Sequence, residues 1–284
     1  MTTAFVETMK MIKIEHSVFA LPFALVSAFL AAGGLPQTKV LGLILVAMVC
    51  ARSAAMAFNR YIDADMDSEN PRTAIRSIPA GRLTRGYALG FTITTSLLFI
   101  ATCWLLNPLA LMLSPVVLLV LLGYSLTKRF TSLCHFFLGA ALGLAPLGAW
   151  VAVTGAFSLI PLILGLAVLL WTAGFDIIYA CQDIDFDRSQ NLHSVPARLG
   201  LDRSLLLARL LHLIMVTTLC LLGVHLELGW LYWAGIALVV LCLGYEHSLV
   251  WGGKLDKVDM AFFLMNGVVS LVFGFTTIGS ILLA

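Results

Sequence analysis

Charge is what this sequence has least of. Only 11% of its 284 residues are Asp, Glu, Lys or Arg, against about a quarter in an ordinary soluble domain. Paired cysteines are missing too. Cys50, Cys103, Cys134, Cys181, Cys220 and Cys242 lie far apart with no C-x-x-C spacing, which argues against a zinc or disulfide framework and leaves them as small apolar helix residues. The six histidines show no ligand spacing. A formal net charge of +2 is too small for a nucleic-acid binder. No low-complexity stretch and no soluble domain interrupts the chain. What is present is apolar: 61% of the residues are hydrophobic and the mean hydropathy is +1.01. The chain therefore reads as one integral membrane domain over residues 1–284, with its apolar side chains facing lipid and neighbouring helices.

Apolar runs of about 20 residues fall at 16–33, 40–58, 86–105, 109–126, 131–151, 159–180, 204–223, 228–248 and 260–283. The expected fold is all-α and polytopic, with about nine transmembrane helices. "AAGGLPQ" at 31–37, "NP" at 107–108 and "TGAFS" at 154–158 supply the breakers between spans. Charge ahead of the first run (Glu7, Lys10, Lys13, Glu15), with no small-residue cleavage site after it, reads as a retained span. Of the 17 lysines and arginines, Arg52 and Arg209 fall inside spans and only Lys39 falls in a loop on the far side. All the others share one face. The positive-inside rule then places the N-terminus and that face in the cytoplasm and the C-terminus outside, as in a bacterial-type inner membrane.

The scarce acidic residues gather on that same face. "NRYIDADMDSENPRT" at 59–73 places Asn59, Asp63 and Asp67 at i, i+4 and i+8, which on a helix stacks three oxygen donors on one side, roughly 6 Å apart. "GFDIIYACQDIDFDR" at 174–188 repeats the spacing with Tyr179, Asp183 and Asp187, and Asp176 lies deeper. An ionised Asp at membrane depth costs about 2.5–3.5 kcal/mol on insertion scales, so Asp176 needs a partner. Hard oxygen donors suit Mg²⁺, which keeps several waters and bridges carboxylate to phosphate; the two clusters read as holding Mg²⁺ and, through it, a diphosphate. Arg72, Arg76, Lys128 and Arg129 lie close by and are of the types that bind phosphate. Asp65, Glu69, Asp185, Arg82 and Arg203 read as solvated loop charges.

With those motifs in view, the sequence resembles the UbiA superfamily of intramembrane aromatic prenyltransferases. "NRYIDADMD" at 59–67 and "DIIYACQDIDFD" at 176–187 resemble its two aspartate motifs. "RTAIRSIPAG" at 72–81, "YSLTKR" at 124–129 and "KIEHSVFALPF" at 13–23 resemble its other signatures. One departure is Arg60, which stands where the family usually has an Asp; an arginine is no metal ligand but is suited to touch diphosphate. Within the superfamily the chain is most similar to 4-hydroxybenzoate polyprenyltransferases of quinone biosynthesis, and "GFDIIYACQD" and "AMAFNR" also resemble menaquinone enzymes that prenylate 1,4-dihydroxy-6-naphthoate.

The resemblance implies a Mg²⁺-dependent enzyme joining a polyprenyl diphosphate to a small aromatic acid at the membrane boundary. Asn59, Asp63, Asp67, Asp183 and Asp187 are then the metal-site residues. Arg72, Arg76, Lys128 and Arg129 face the diphosphate, and Tyr179 steadies the allylic cation. Asp176 or Asp185 accepts the ring proton. Lys13 and His16 contact diphosphate or the aromatic carboxylate, or else anchor to lipid headgroups. "GAALGLAPLGA" at 139–149 permits close helix packing or leaves room for an isoprenoid tail. A cation-coupled transporter is the rival reading, since intramembrane Asp marks ion pathways. Such a protein places its carboxylates near the midplane on broken helices, whereas most here lie at helix ends beside arginines.

Overall fold

The computed structural model describes residues 2–13 and 19–283, which are helical with no strand among them. Helix α1 (Thr2–Ile12) and the short α2 (Leu21–Ala32) are followed by α3 (Thr38–Ile62) and α4 (Ala64–Glu69). Then come α5 (Arg85–Leu106), α6 (Pro108–Thr127), α7 (Cys134–Thr154) and α8 (Leu159–Ala180). After α9 (Ile184–Ser189) and α10 (Val195–Leu199) the chain ends in α11 (Leu201–His225), α12 (Trp230–Leu249) and α13 (Asn266–Leu283). The last is entered through a π-helical turn, Met260–Met265.

Among the described residues eight helices are long and apolar enough to cross a membrane. The first expected span, 16–33, differs. Its described helix begins at Leu21, with Pro22 in its first turn, and ends at Ala32. Twelve residues rise roughly 18 Å, less than a bilayer core of about 30 Å.

The links follow from their sequences. Asn107 ends α5 and caps α6, accepting from the Ala110 N–H at 2.9 Å, with Pro108 in the first helical turn. Its amide also donates to the Val151 carbonyl at 2.8 Å, tying this tight turn to the end of α7. Gly155 closes α7 at φ +65°, a left-handed conformation that glycine adopts without penalty.

Burial ranks the helices. In α8 67% of the span window is buried inside the protein, in α6 only 17%. So α8 runs through the middle while α6 turns Met112, Val116 and Leu119 outward, as a lipid-facing helix should. Around α8 the fully buried Trp171, Phe23, Phe273 and Tyr232 form the main core. Trp171 donates from its indole to Asn266 Oδ1 at 2.6 Å, so the one polar atom of that ring is satisfied where water is excluded. The chain from Leu159 to Ser189 is nearly one 31-residue rod, and its last turns carry the second acidic cluster out of the apolar zone.

Candidate active site

Both acidic clusters come to the same place. The ends of α3, α6 and α8, the start of α7 and the loop after α4 surround a cavity of about 270 Å³. Asn59, Asp63, Asp67, Arg72, Arg76, Lys128, Asp176, Tyr179, Asp183 and Lys13 line it. Asp187 and Arg129 stand just behind, each bound to a neighbouring residue of the site. Arg60 also faces in, donating to Asn59 Oδ1 at 2.9 Å. His16 lies outside the described residues.

The four motif carboxylates meet the four expected phosphate ligands one to one. Arg72 grips Asp183 with two bonds, Nε to Oδ1 at 3.1 Å and Nη2 to Oδ2 at 2.5 Å, and donates from Nη1 to the Tyr179 hydroxyl at 3.0 Å. Arg76 Nη1 reaches both oxygens of Asp67 at 2.6 and 2.8 Å. Lys128 Nζ lies 2.7 Å from Oδ1 of the fully buried Asp187. Arg129 Nη2 donates to Asp63 Oδ1 and to the Ile62 carbonyl, both at 2.9 Å, and so closes the end of α3. Burial, and then the Asp67 charge, raise the Asp63 carboxyl above its ordinary range against the pull of Arg129 and Arg60.

The expected stack of donors on one continuous helix is interrupted. α3 stops at Ile62, and Asp63 (φ −90°, ψ 4°) joins it to α4. Asn59 still donates to Asp63 Oδ2 at 2.8 Å. Among the described residues no three His, Cys, Asp or Glu side chains converge to hold a metal ion. The oxygen donors suit Mg²⁺ in kind, and they edge one cavity. They form no closed cage, so an ion here would need further oxygen ligands, such as the water and substrate phosphate that Mg²⁺ commonly takes.

Asp185 points away and is exposed, as are Asp65, Glu69 and Arg203. Arg82, also exposed, is more than a solvated charge: its Nε donates to Glu7 Oε2 at 2.7 Å and fastens α1 to the loop. Three contributors have no signal in the spacing. Buried Asn70 donates to Asp183 Oδ1 at 3.3 Å. Buried Ser194 donates to Asp187 Oδ2 at 2.7 Å. His135, 2% exposed, places Nδ1 2.7 Å from Asp176 Oδ2 and supplies the partner that a deep carboxylate requires. Asn70 precedes a proline and Ser194 caps α10, so turn chemistry flags both; nothing local flags His135.

A second cavity of about 320 Å³ opens between α3, α5, α6 and α7. Its walls are mostly apolar, and Arg52, Tyr124 and Leu142 also line the first cavity. A charged chamber and an apolar one thus share a wall.

A family model described as the UbiA prenyltransferase family matches residues 20–268. Curated relatives include the 4-hydroxybenzoate octaprenyltransferase of Tolumonas auensis, 33% identical over 86% of this chain and 85% of that protein. The protein of the same name from Alkalilimnicola ehrlichii is 30% identical over 86% of this chain and 83% of its own length. Among solved structures, a UbiA homolog from Aeropyrum pernix K1 superposes with a TM-score of 0.85 at 36% identity, covering 93% of this chain and 97% of that one. A UbiA homolog from Archaeoglobus fulgidus bound to DMAPP and Mg²⁺ shares the fold at a TM-score of 0.74 and 19% identity, over 97% of this chain and 99% of that one. With the model spanning most of its length and relatives of this identity, the chain belongs to the UbiA prenyltransferase family.

Proposed function

We propose that the protein transfers a polyprenyl group from a polyprenyl diphosphate to the ring of a 4-hydroxybenzoate-like aromatic acid, in quinone biosynthesis. The observation that carries the reading is a cavity of four carboxylate–cation pairs sharing a wall with an apolar chamber. One substrate has both halves: a polyanionic head and a hydrocarbon tail. The names of the curated relatives support the acceptor class.

The one-to-one pairing says what the site does when it fills. Each of the four motif Asp is paired with an Arg or Lys, and Lys13, Arg52 and Arg60, set against Asp176 alone, leave the described lining net positive, as an anion site requires. Arg72, Arg76, Lys128 and Arg129 would hold the diphosphate oxygens, and Asp63, Asp67, Asp183 and Asp187, with Asn59, would hold Mg²⁺. Mg²⁺, when bound, supplies Lewis-acid stabilisation of charge on the departing diphosphate. The protein's own groups do the rest. The guanidinium and ammonium donors hold the leaving group. Tyr179, which lines the cavity with its ring tilted 32° to that of Phe262 at a centroid distance of 4.2 Å, presents its aromatic ring to the allylic cation. The ring carbon ortho to the phenol attacks that cation, and Asp176 lies in the cavity to take its proton; exposed Asp185 does not. The charged face lies in the cytoplasm and the protein in the inner membrane, on the distribution of basic residues.

The test is transfer of a radiolabelled geranyl group by purified protein with Mg²⁺. It offers 4-hydroxybenzoate and 1,4-dihydroxy-6-naphthoate side by side, with Asp63→Ala and Asp183→Ala as controls. Product with 4-hydroxybenzoate, lost in both variants, is expected. Product with the naphthoate alone assigns the other acceptor. Neither product nor Mg²⁺-dependent diphosphate binding overturns the enzyme reading in favour of a transporter.

A further inference from the structure

We infer that His135 is a positioning residue for Asp176, held in a single tautomer by the backbone N–H of Val195. The inference rests on the reading above, in which Asp176 receives the ring proton.

The hydrogen-bond roles follow from which atoms can donate. A backbone N–H only donates, and that of Val195 points at His135 Nε2 at 3.2 Å. Nε2 is therefore the acceptor, and the ring's proton sits on Nδ1, 2.7 Å from Asp176 Oδ2. The imidazole spends its one donor on one carboxylate oxygen. Asp176 lines the cavity, its side chain 23% exposed against 3% for His135, and Oδ1 is the oxygen that this bond does not use. When the acceptor's ring C–H bond breaks, its electron pair restores the aromatic ring and its proton passes to that free oxygen. The Nδ1 proton stays where it is.

The anchor is itself held. Over residues 192–195 the chain binds three elements of the site in succession. The Leu192 N–H donates to the Asp187 carbonyl at 2.8 Å and the His193 N–H to the Lys128 carbonyl at 2.8 Å. Ser194 donates to the Asp187 side chain at 2.7 Å, and Val195 follows with His135. From the other side, α7 and α8 approach so closely that a Cβ on Gly139 would lie 2.5 Å from the Leu169 carbonyl oxygen. The relative height of His135 and Asp176 is thereby fixed.

The experiment compares wild type with His135→Leu, His135→Asn and Val195→Pro in the transfer assay, using ordinary acceptor and acceptor deuterated at the reacting carbon. Asn presents an amide N–H near the Nδ1 position. Pro removes the N–H while fitting the first turn of α10, because Ser194 is already extended at φ −137°, ψ 160°. His135→Leu should lower kcat about 100-fold, the low end of what a positioned base contributes, with KM for geranyl diphosphate unchanged and a larger deuterium effect than in wild type. His135→Asn should recover most of that loss, and Val195→Pro should show a smaller loss of the same kind. A folded Leu variant with full kcat, a loss carried in KM for the diphosphate, or an Asn variant no better than Leu overturns the positioning role alone. Wild type without product overturns the parent reading as well.

Discussion

Gly143 of α7 and Gly165 of α8 meet backbone to backbone. A Cβ on Gly143 would sit 2.6 Å from the Gly165 carbonyl oxygen, and one on Gly165 would sit 2.8 Å from that of Gly143. About two turns from this contact on α7, and three on α8, the same helix pair carries His135 and Asp176. Gly143→Ala must push the helices apart and should cost about 1–3 kcal/mol. It should also slow transfer by separating the dyad. Gly148→Ala, on the same helix with nothing within 4 Å of its Cβ position, should be neutral or slightly stabilising. Thermal unfolding in detergent reads both; equal melting points would remove the close contact from the account.

Lys128 and Asp187 give a second comparison. The Asp187 side chain is wholly buried and that of Lys128 is 33% exposed. Lys128→Met leaves a buried carboxylate with Ser194 as its remaining donor. Breaking such a pair costs about 3–5 kcal/mol when both ends are buried; discounted for the exposed lysine, about 2–3 kcal/mol is expected. The Arg85–Asp65 pair is 47% and 83% exposed, and Arg85→Met should change stability by less than about 1 kcal/mol. Unfolding both variants beside wild type decides whether burial, rather than pairing alone, sets the loss.

The docking of α1 should depend on pH in one direction. Glu7 accepts from Lys10, Arg82 and Ser77, and these bonds hold its carboxyl at about 2, below the ordinary 4.5. A detached α1 binds a proton at Glu7 more readily than a docked one, so docking gains from rising pH. The contribution is complete above about pH 4.5 and is lost as pH falls through 2. Protection factors across residues 2–12, corrected for the intrinsic pH dependence of amide exchange, should therefore fall over that window in wild type, and those of Glu7→Gln should be low throughout. A flat profile in wild type would show that another contact holds the helix.

What the sequence made legible is what depends on local spacing. The apolar runs, the asymmetry of basic residues and the two acidic clusters are each written within one turn or one span. The cations around the cavity were also readable, because Arg72, Arg76, Lys128 and Arg129 lie next to the motifs. Their pairing was not: Arg72 meets Asp183 from 111 positions away, and which Asp each cation finds depends on how the helix ends converge. The break at Asp63 left no mark, since neither Gly nor Pro falls between Asn59 and Glu69. His135 was invisible for the same reason as the pairing, its partner lying 41 positions on. A lone histidine in an apolar stretch carries no spacing to read.

The apolar chamber makes the last prediction. Gly148 lines it, and with no heavy atom within 4 Å of its Cβ position a side chain added there enters the chamber instead of a neighbouring helix. Gly148→Phe should fill space that a long prenyl tail needs and a short one does not. Each buried methylene stabilises by about 0.8 kcal/mol, so excluding one five-carbon unit should weaken a long substrate by about 2–4 kcal/mol, a loss of more than tenfold in kcat/KM. Geranyl diphosphate, with its shorter tail, should keep most of its rate. Competition between geranyl and longer polyprenyl diphosphates, scored by product length, reads the difference directly. If Gly148→Phe slows both substrates by the same factor, or neither, the tail does not lie in this chamber, and the wall shared through Arg52 and Tyr124 is only a packing boundary.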